Sequence, residues 1–104
     1  MKKLRIDAGR DTPAVLSFVA KALQTRGIGL ALASDGSTHV DAPHNTIIEA
    51  TSEAVARYVA SQRRPLNLTF EGRRVSVPFP TTARDVALSL GALPGDITID
   101  EDED

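Results

Sequence analysis

The stretch from Leu66 to Gly91 constrains the fold of this 104-residue chain more than any other part of it. Apolar and polar residues alternate up to Glu71-Gly72, a pair typical of a tight turn, and then alternate again. A Thr-Thr pair and a run of apolar residues at helical spacing follow, and this run stops at Gly91. The pattern predicts a β-hairpin followed by a capped helix.

The apolar pattern also constrains the loop of this hairpin. The residues expected on its buried face are Leu66, Leu68, Phe70, Val75, Val77 and Phe79. A loop of two or four residues brings both apolar sets to one face, whereas a loop of three does not, because side chains alternate between faces. Pro78 cannot donate a backbone hydrogen bond, so the second strand should lie at a sheet edge or end there.

A strand and a helix are predicted at the start of the chain. Residues 3–8 alternate as a short strand with one buried face. Asp11 or Thr12 can cap a helix that carries Pro13 in its first turn and stops at Gly27. The buried stripe of this helix is expected to consist of Val15, Phe18, Val19, Ala22 and Leu23.

A second hairpin is predicted between the first two helices, with its turn at Asp35-Gly36. A two-residue loop would set Leu30 and Leu32 of its first strand opposite Asp41 and His39, respectively. A three-residue loop sets the same leucines opposite Ala42 and Val40. The three-residue loop is favoured because it keeps the apolar side chains on one face.

The second helix has two candidate starting points. Thr46, with Glu49 three residues later, resembles a capping box and favours a start at Thr46. The alternative is a start at Thr51 or Ser52. In both cases the helix is expected to run to Gln62.

The predicted elements have the order β-α-β-β-α-β-β-α-(β), where the last short strand contains Ile97 and Ile99. Strand pairs that alternate with helices predict an α+β fold, a two-layer sandwich with a mainly antiparallel sheet. Residues 1–99 are expected to form a single compact α+β domain, since the chain is too short for two. Residues 100–104 are expected to be a disordered acidic tail because their like charges repel.

Composition narrows the class of protein further. The net charge is −2, but residues 96–104 hold six of the 14 acids, so the rest of the chain carries a net charge of +4. The absence of cysteine excludes disulfides and thiolate chemistry and fits a reducing compartment. We see no signal-like apolar run and no window long enough to span a bilayer, and therefore expect a cytoplasmic protein with no membrane partner.

The sequence contains no recognisable catalytic motif. It has no Gly-x-Ser-x-Gly elbow, no glycine-rich phosphate loop and no cysteine nucleophile. His39, Asp41 and His44 are of the residue types that bind zinc, but their spacing matches no established metal pattern, which favours two surface histidines. We therefore expect a protein that is not an enzyme and has no cofactor and no bound metal.

Charged residues supply the candidate partner-binding sites. Five arginines at or near the ends of predicted elements form the first candidate, Arg63, Arg64, Arg73, Arg74 and Arg84. If these ends converge, the arginines form a phosphate-binding patch, although no aromatic residues accompany them for base stacking. The second candidate is the acidic tail, which could screen this patch or steer a basic partner. It consists of Asp100, Glu101, Asp102, Glu103 and Asp104.

Residues 66–91, a hairpin, a Val-Pro segment, Thr-Thr and a helix ending in glycine, resemble the opening of a β-grasp sulfur-carrier domain. The resemblance covers about a quarter of the chain. Such carriers end in Gly-Gly, whose carboxylate is activated, whereas this chain ends in Glu103-Asp104. The resemblance therefore implies no carrier role and assigns no family.

These observations favour a small non-enzymatic protein-binding module that acts through protein–protein interaction. Inhibitors, immunity proteins, phage-encoded antagonists and assembly adaptors of bacteria or phages share this profile. The alternative is a nucleic-acid-binding accessory protein that uses the arginine patch. The chain is expected to be a monomer or a homodimer, and an exposed strand edge would allow pairing with a partner strand.

Overall fold

The computed structural model describes residues 2–32 and 38–91 of the chain. Within these ranges the fold is mixed α+β, with three α-helices and antiparallel strands, as expected. The strands are β1 (Lys2–Leu4), β2 (Ile6–Asp7), β3 (Leu30–Leu32), β4 (Thr38–Val40), β5 (Leu66–Phe70) and β6 (Arg73–Val77). The helices are α1 (Thr12–Gln24), α2 (His44–Gln62) and α3 (Ala83–Ser89), with a short 3-10 turn at Gly9–Asp11. The predicted last strand and the acidic tail lie outside the described residues.

The first extended segment is divided between two sheets, whereas the sequence pattern predicts one continuous strand there. β1 pairs with β4 in a sheet of order β1-β4-β3, and β2 pairs with β5 in a sheet of order β2-β5-β6. The break falls at Arg5, whose backbone N–H donates to Glu71 Oε2 at 2.6 Å and whose carbonyl accepts from the Glu71 N–H at 2.9 Å. A residue 66 positions away along the chain therefore sets this break.

The β5–β6 hairpin has the predicted even-numbered loop. Leu68 pairs with Val75 and Phe70 with Arg73, so that Glu71 and Gly72 alone form the turn. Both have positive φ, 51° and 83°, as the tight turns that suit twisted hairpins require. β6 ends at Val77, just before Pro78, which confirms the predicted strand end, and among the described strands it is the outer one of its sheet.

The β3–β4 pair has the predicted parity but a different register. Leu30 lies opposite Val40, and Leu32 lies opposite Thr38 rather than opposite Val40 as predicted. A shift of two residues leaves every side chain on the same face, so the alternation of apolar residues cannot detect it. Thr38 is buried, and its hydroxyl donates to the Leu4 carbonyl at 2.8 Å. The turn that was expected between these strands lies outside the described residues.

Helix α2 begins at His44, so the predicted capping box at Thr46 and the later start at Thr51 or Ser52 are both wrong. Pro43 is the N-cap residue, with φ −60° and ψ 151°, and its carbonyl accepts the first helical bond from the Ile47 N–H at 3.1 Å. The extended proline therefore starts the helix without a side-chain cap. The end at Gln62 is as predicted.

Helices α1 and α3 begin close to their predicted caps. α3 follows Thr82, whose hydroxyl accepts a hydrogen bond from the Asp85 N–H at 3.1 Å. α1 follows Asp11, but the Asp11 side chain makes no capping bond. Its carboxylate instead accepts hydrogen bonds from Tyr58 and Arg64. No helix in the described part of the chain is long and apolar enough to cross a membrane.

Within the described residues, one apolar cluster forms the core. Val15, Val19 and Leu23 are fully buried on α1, as predicted for its inner stripe. Phe18 and Ala22 were expected in the same stripe but are only partly buried, because they lie on the flank of the helix beside α2. Phe18 packs edge-to-face on Tyr58 of α2, with ring centroids 5.4 Å apart and an interplanar angle of 78°.

Candidate protein-interaction surface

The free side of strand β6, here called the β6 edge, is the main candidate for an interaction surface. In the part of the chain that the structure describes, β6 has a neighbouring strand only in β5. The residues that flank a two-residue hairpin turn exchange both backbone hydrogen bonds, and the pattern then repeats at every second residue. The register therefore turns the main chain of Arg73, Val75 and Val77 toward β5. The N–H and C=O groups of Arg74 and Ser76 point to the free side.

The side chains of β6 divide between two environments. Val75 and Val77 are buried in the core, whereas Arg74 and Ser76 are exposed on the outer face of the sheet. The Ser76 hydroxyl donates to Asn67 Oδ1 on β5 at 3.0 Å. The β6 edge thus combines backbone groups that pair with no other described strand, one guanidinium and one small polar side chain.

A shallow cavity of about 450 Å³ lies on the outer face beside this edge. Its polar lining comes from β2, β5 and β6 and includes Asp7, Asn67, Thr69 and Arg74. Asp7 lies opposite Thr69, and Thr69 lies opposite Arg74, so one row across the three strands carries an acid, a hydroxyl and a base. The cavity suits polar contacts with a partner's side chains.

The structure places the two arginine pairs at opposite ends of the hairpin. Arg63 and Arg64 precede β5, and Arg73 and Arg74 begin β6 at the turn. A five-residue strand separates them, which amounts to roughly 15 Å along the strand. The pairs therefore do not form one compact patch, which a nucleic-acid-binding role of these arginines would need.

Arg73, Arg84 and Arg63 have different surroundings. The Arg73 guanidinium lies beside Gly91, where a Cβ would come within 3.4 Å of its Nη1 atom. Arg84 is exposed in the first turn of α3, and Arg63 is exposed with a left-handed φ of 54°. The acidic tail lies outside the described residues.

Arg64 belongs to a polar cluster that joins α1 to α2. Its Nη2 atom donates to Asp11 Oδ1 at 3.0 Å, and the Tyr58 hydroxyl donates to the same oxygen at 2.6 Å. The hydrogen bond from Tyr58 and then that from Arg64 lower the pKa of Asp11. The bond to Asp11, together with burial, raises the pKa of Tyr58. No local sequence pattern predicts this cluster, because Tyr58 and Arg64 lie 47 and 53 positions from Asp11 along the chain.

The possible zinc ligands do not form a metal site. His39 is half-buried on β4, whereas Asp41 and His44 are exposed. Among the residues that the structure describes, no group of three or more His, Cys, Asp or Glu side chains could hold a metal ion.

The polar cluster predicts how stability depends on pH. The pKa of Asp11 lies below its ordinary value of 3.8 in the folded protein, so its stabilising effect is present above that value. It is lost as the pH falls through the lowered pKa. The pKa of Tyr58 lies above 10.0, so its contribution is present below pH 10.0 and is lost as the pH rises through the raised pKa.

The expected result is that Asp11→Asn lowers stability at neutral pH and flattens the acid limb of the curve of stability against pH. Tyr58→Phe should flatten the alkaline limb. Urea unfolding at a series of pH values measures both effects. Asp41→Asn, which changes an exposed aspartate outside the cluster, is the control, and an equal effect of Asp41→Asn would contradict the assignment.

Comparison of the chain with protein-family models, with curated proteins and with solved structures found no match.

Proposed function

We propose that this protein is a small, non-enzymatic protein-binding module that pairs its β6 edge with an extended segment of another protein. The observation that carries the proposal is a pair of backbone positions, Arg74 and Ser76, that face away from β5 on a strand with no second neighbour among the described residues. An added strand satisfies such groups with main-chain hydrogen bonds. The module would act as an inhibitor, an immunity protein, a phage-encoded antagonist or an assembly adaptor.

The side chains on this edge indicate which segment would fit. Arg73 and Arg74 are both exposed at the turn, and Glu71 beside them already accepts a hydrogen bond from the Arg5 N–H. An acidic residue in the partner segment near Arg74 would complement this charge and hasten association at low salt. Pro78 limits the pairing to the five residues of β6.

The contacts between the elements support a two-layer sandwich, and the composition supports a cytoplasmic location. α1 and α3 both contact α2, and α1 also contacts β2 and β3, which fits helices and sheets packed as two layers. The cysteine-free sequence fits the cytoplasm. The separation of the two arginine pairs favours a protein partner over nucleic acid, because phosphate contacts gain from clustered charge.

Two substitutions of Ser76 test the proposal. Ser76→Pro removes an N–H that points to the free side and leaves the ladder to β5 intact, so we expect at least tenfold weaker partner binding. Ser76→Ala removes the hydroxyl and its bond to Asn67 but keeps the backbone N–H, and should bind as the wild type does. Affinity capture with mass spectrometry, run in parallel on the three proteins at low salt, identifies the protein that only Ser76→Pro loses. Titration with that purified protein then gives the affinities.

Two results would overturn the proposal. One is a partner that both variants retain equally, which would place the contact elsewhere on the molecule. The other is a wild-type dimer that Ser76→Pro converts to a monomer in sedimentation, since a second copy of the chain would then occupy the edge.

A further inference from the structure

A groove between α1 and α2 lies outside the surface proposed above. Its volume is about 300 Å³, and none of its lining residues belongs to β6. Phe18, Ala22 and Ala54 supply its apolar part. The two alanines leave room between the helices, and the edge-to-face contact with Tyr58 holds the Phe18 ring in place.

The lining of the groove carries more basic than acidic side chains. Lys21 on α1 and Arg57 on α2 both line it and are exposed. Glu53 is the acid of the lining, and it is already bound to Arg26, with Nη2 and Oε2 2.6 Å apart. The structure records no ion pair for Lys21 or Arg57 with another described residue. An apolar floor therefore lies beside two cations that form no ion pair with another described residue, in a lining whose one acid is already bound to Arg26.

We propose that this groove binds a small apolar carboxylate, with the apolar part on Phe18, Ala22 and Ala54 and the carboxylate held by Lys21 and Arg57. A guanidinium matches a carboxylate with two parallel hydrogen bonds, and an ammonium adds a point charge. The volume is at the lower end of the range of small-molecule pockets, roughly 300 to 1,000 Å³, which favours a single short chain or ring.

The test is an NMR titration of the whole protein with octanoate. We expect saturable shifts of the Ala22 and Ala54 methyl signals and of the Phe18 ring signals. Octanamide has the same chain without the charge and should bind about tenfold more weakly. Inorganic phosphate, which has the charge without the chain, should leave the Phe18 ring signals unchanged. Equal binding of octanoate and octanamide, or phosphate shifts at the same signals, would overturn the proposal.

A double variant tests the two cations. Lys21→Gln with Arg57→Gln should weaken octanoate binding about tenfold and leave octanamide binding unchanged. Arg5→Gln with Arg10→Gln changes the net charge equally at exposed sites outside the groove and should have no effect. An equal loss in both double variants would show attraction by the overall charge and would contradict a site in the groove. Octanamide binding itself reports that each variant retains the folded groove.

Discussion

Truncation of Phe70 to alanine should lower the free energy of unfolding by about 3–5 kcal/mol. Phe70 is 2% exposed and lies opposite Ile6 of β2 and Arg73 of β6, so its ring packs where all three strands of the sheet meet. Domains of this size have a total stability of about 5–15 kcal/mol, so the loss is a large share of it. Urea unfolding at 25 °C measures the change.

Phe79→Ala is the matched control, because it makes the same chemical change at a side chain that is 41% exposed. Its expected effect is within about 0.5 kcal/mol. Phe79 was predicted to share the buried face of the hairpin, but β6 ends two residues before it, so the alternation no longer determines its orientation. Similar costs for the two variants would show that Phe70 does not lie in the core.

Val75→Pro should destabilise the protein by about 3 kcal/mol or more, because the Val75 N–H points to β5 and its loss breaks the ladder within the sheet. Ser76→Pro, one residue later, should cost about 1 kcal/mol, the value of a typical side-chain hydrogen bond, here the one to Asn67. Denaturant unfolding of the two variants gives the comparison.

Hydrogen exchange provides an independent measurement of the same register. The amides of Val75 and Val77 should be protected, whereas those of Arg74 and Ser76 should exchange fast in the isolated protein. Bound partner should protect Arg74 and Ser76 if an added strand covers the β6 edge. Protection of Arg74 and Ser76 without a partner would mean that the edge is already covered, and it would remove the basis of the proposed function.

The predictions from sequence that the structure confirms depend on neighbours along the chain. The even loop at Glu71-Gly72, the strand end before Pro78 and the cap at Thr82 all concern residues a few positions apart. Turn type, strand alternation and capping act over such distances, so they can be read directly from the order of residues.

The incorrect predictions concern relations that local chemistry leaves undetermined. A two-residue shift of β3 against β4 keeps the same faces buried, and the start of α2 depended on whether Pro43 or Thr46 caps it. The break at Arg5 depends on Glu71, a residue distant along the chain. Tertiary contacts fix the break at Arg5 and hold Thr38 against Leu4, whereas the start of α2 is a choice between two local caps.

The sequence alone determined most of the helices and strands in the described residues and most of the faces that they bury, because hydrophobic periodicity and turn chemistry are properties of short segments. Tertiary structure decided which groups meet. It brought Tyr58 and Arg64 to Asp11, left Arg74 and Ser76 on a strand edge that no described strand covers, and put Lys21 and Arg57 in the lining of one groove. The candidate surfaces arise from the packing of separate elements, and the packing of the whole core determines how those elements meet.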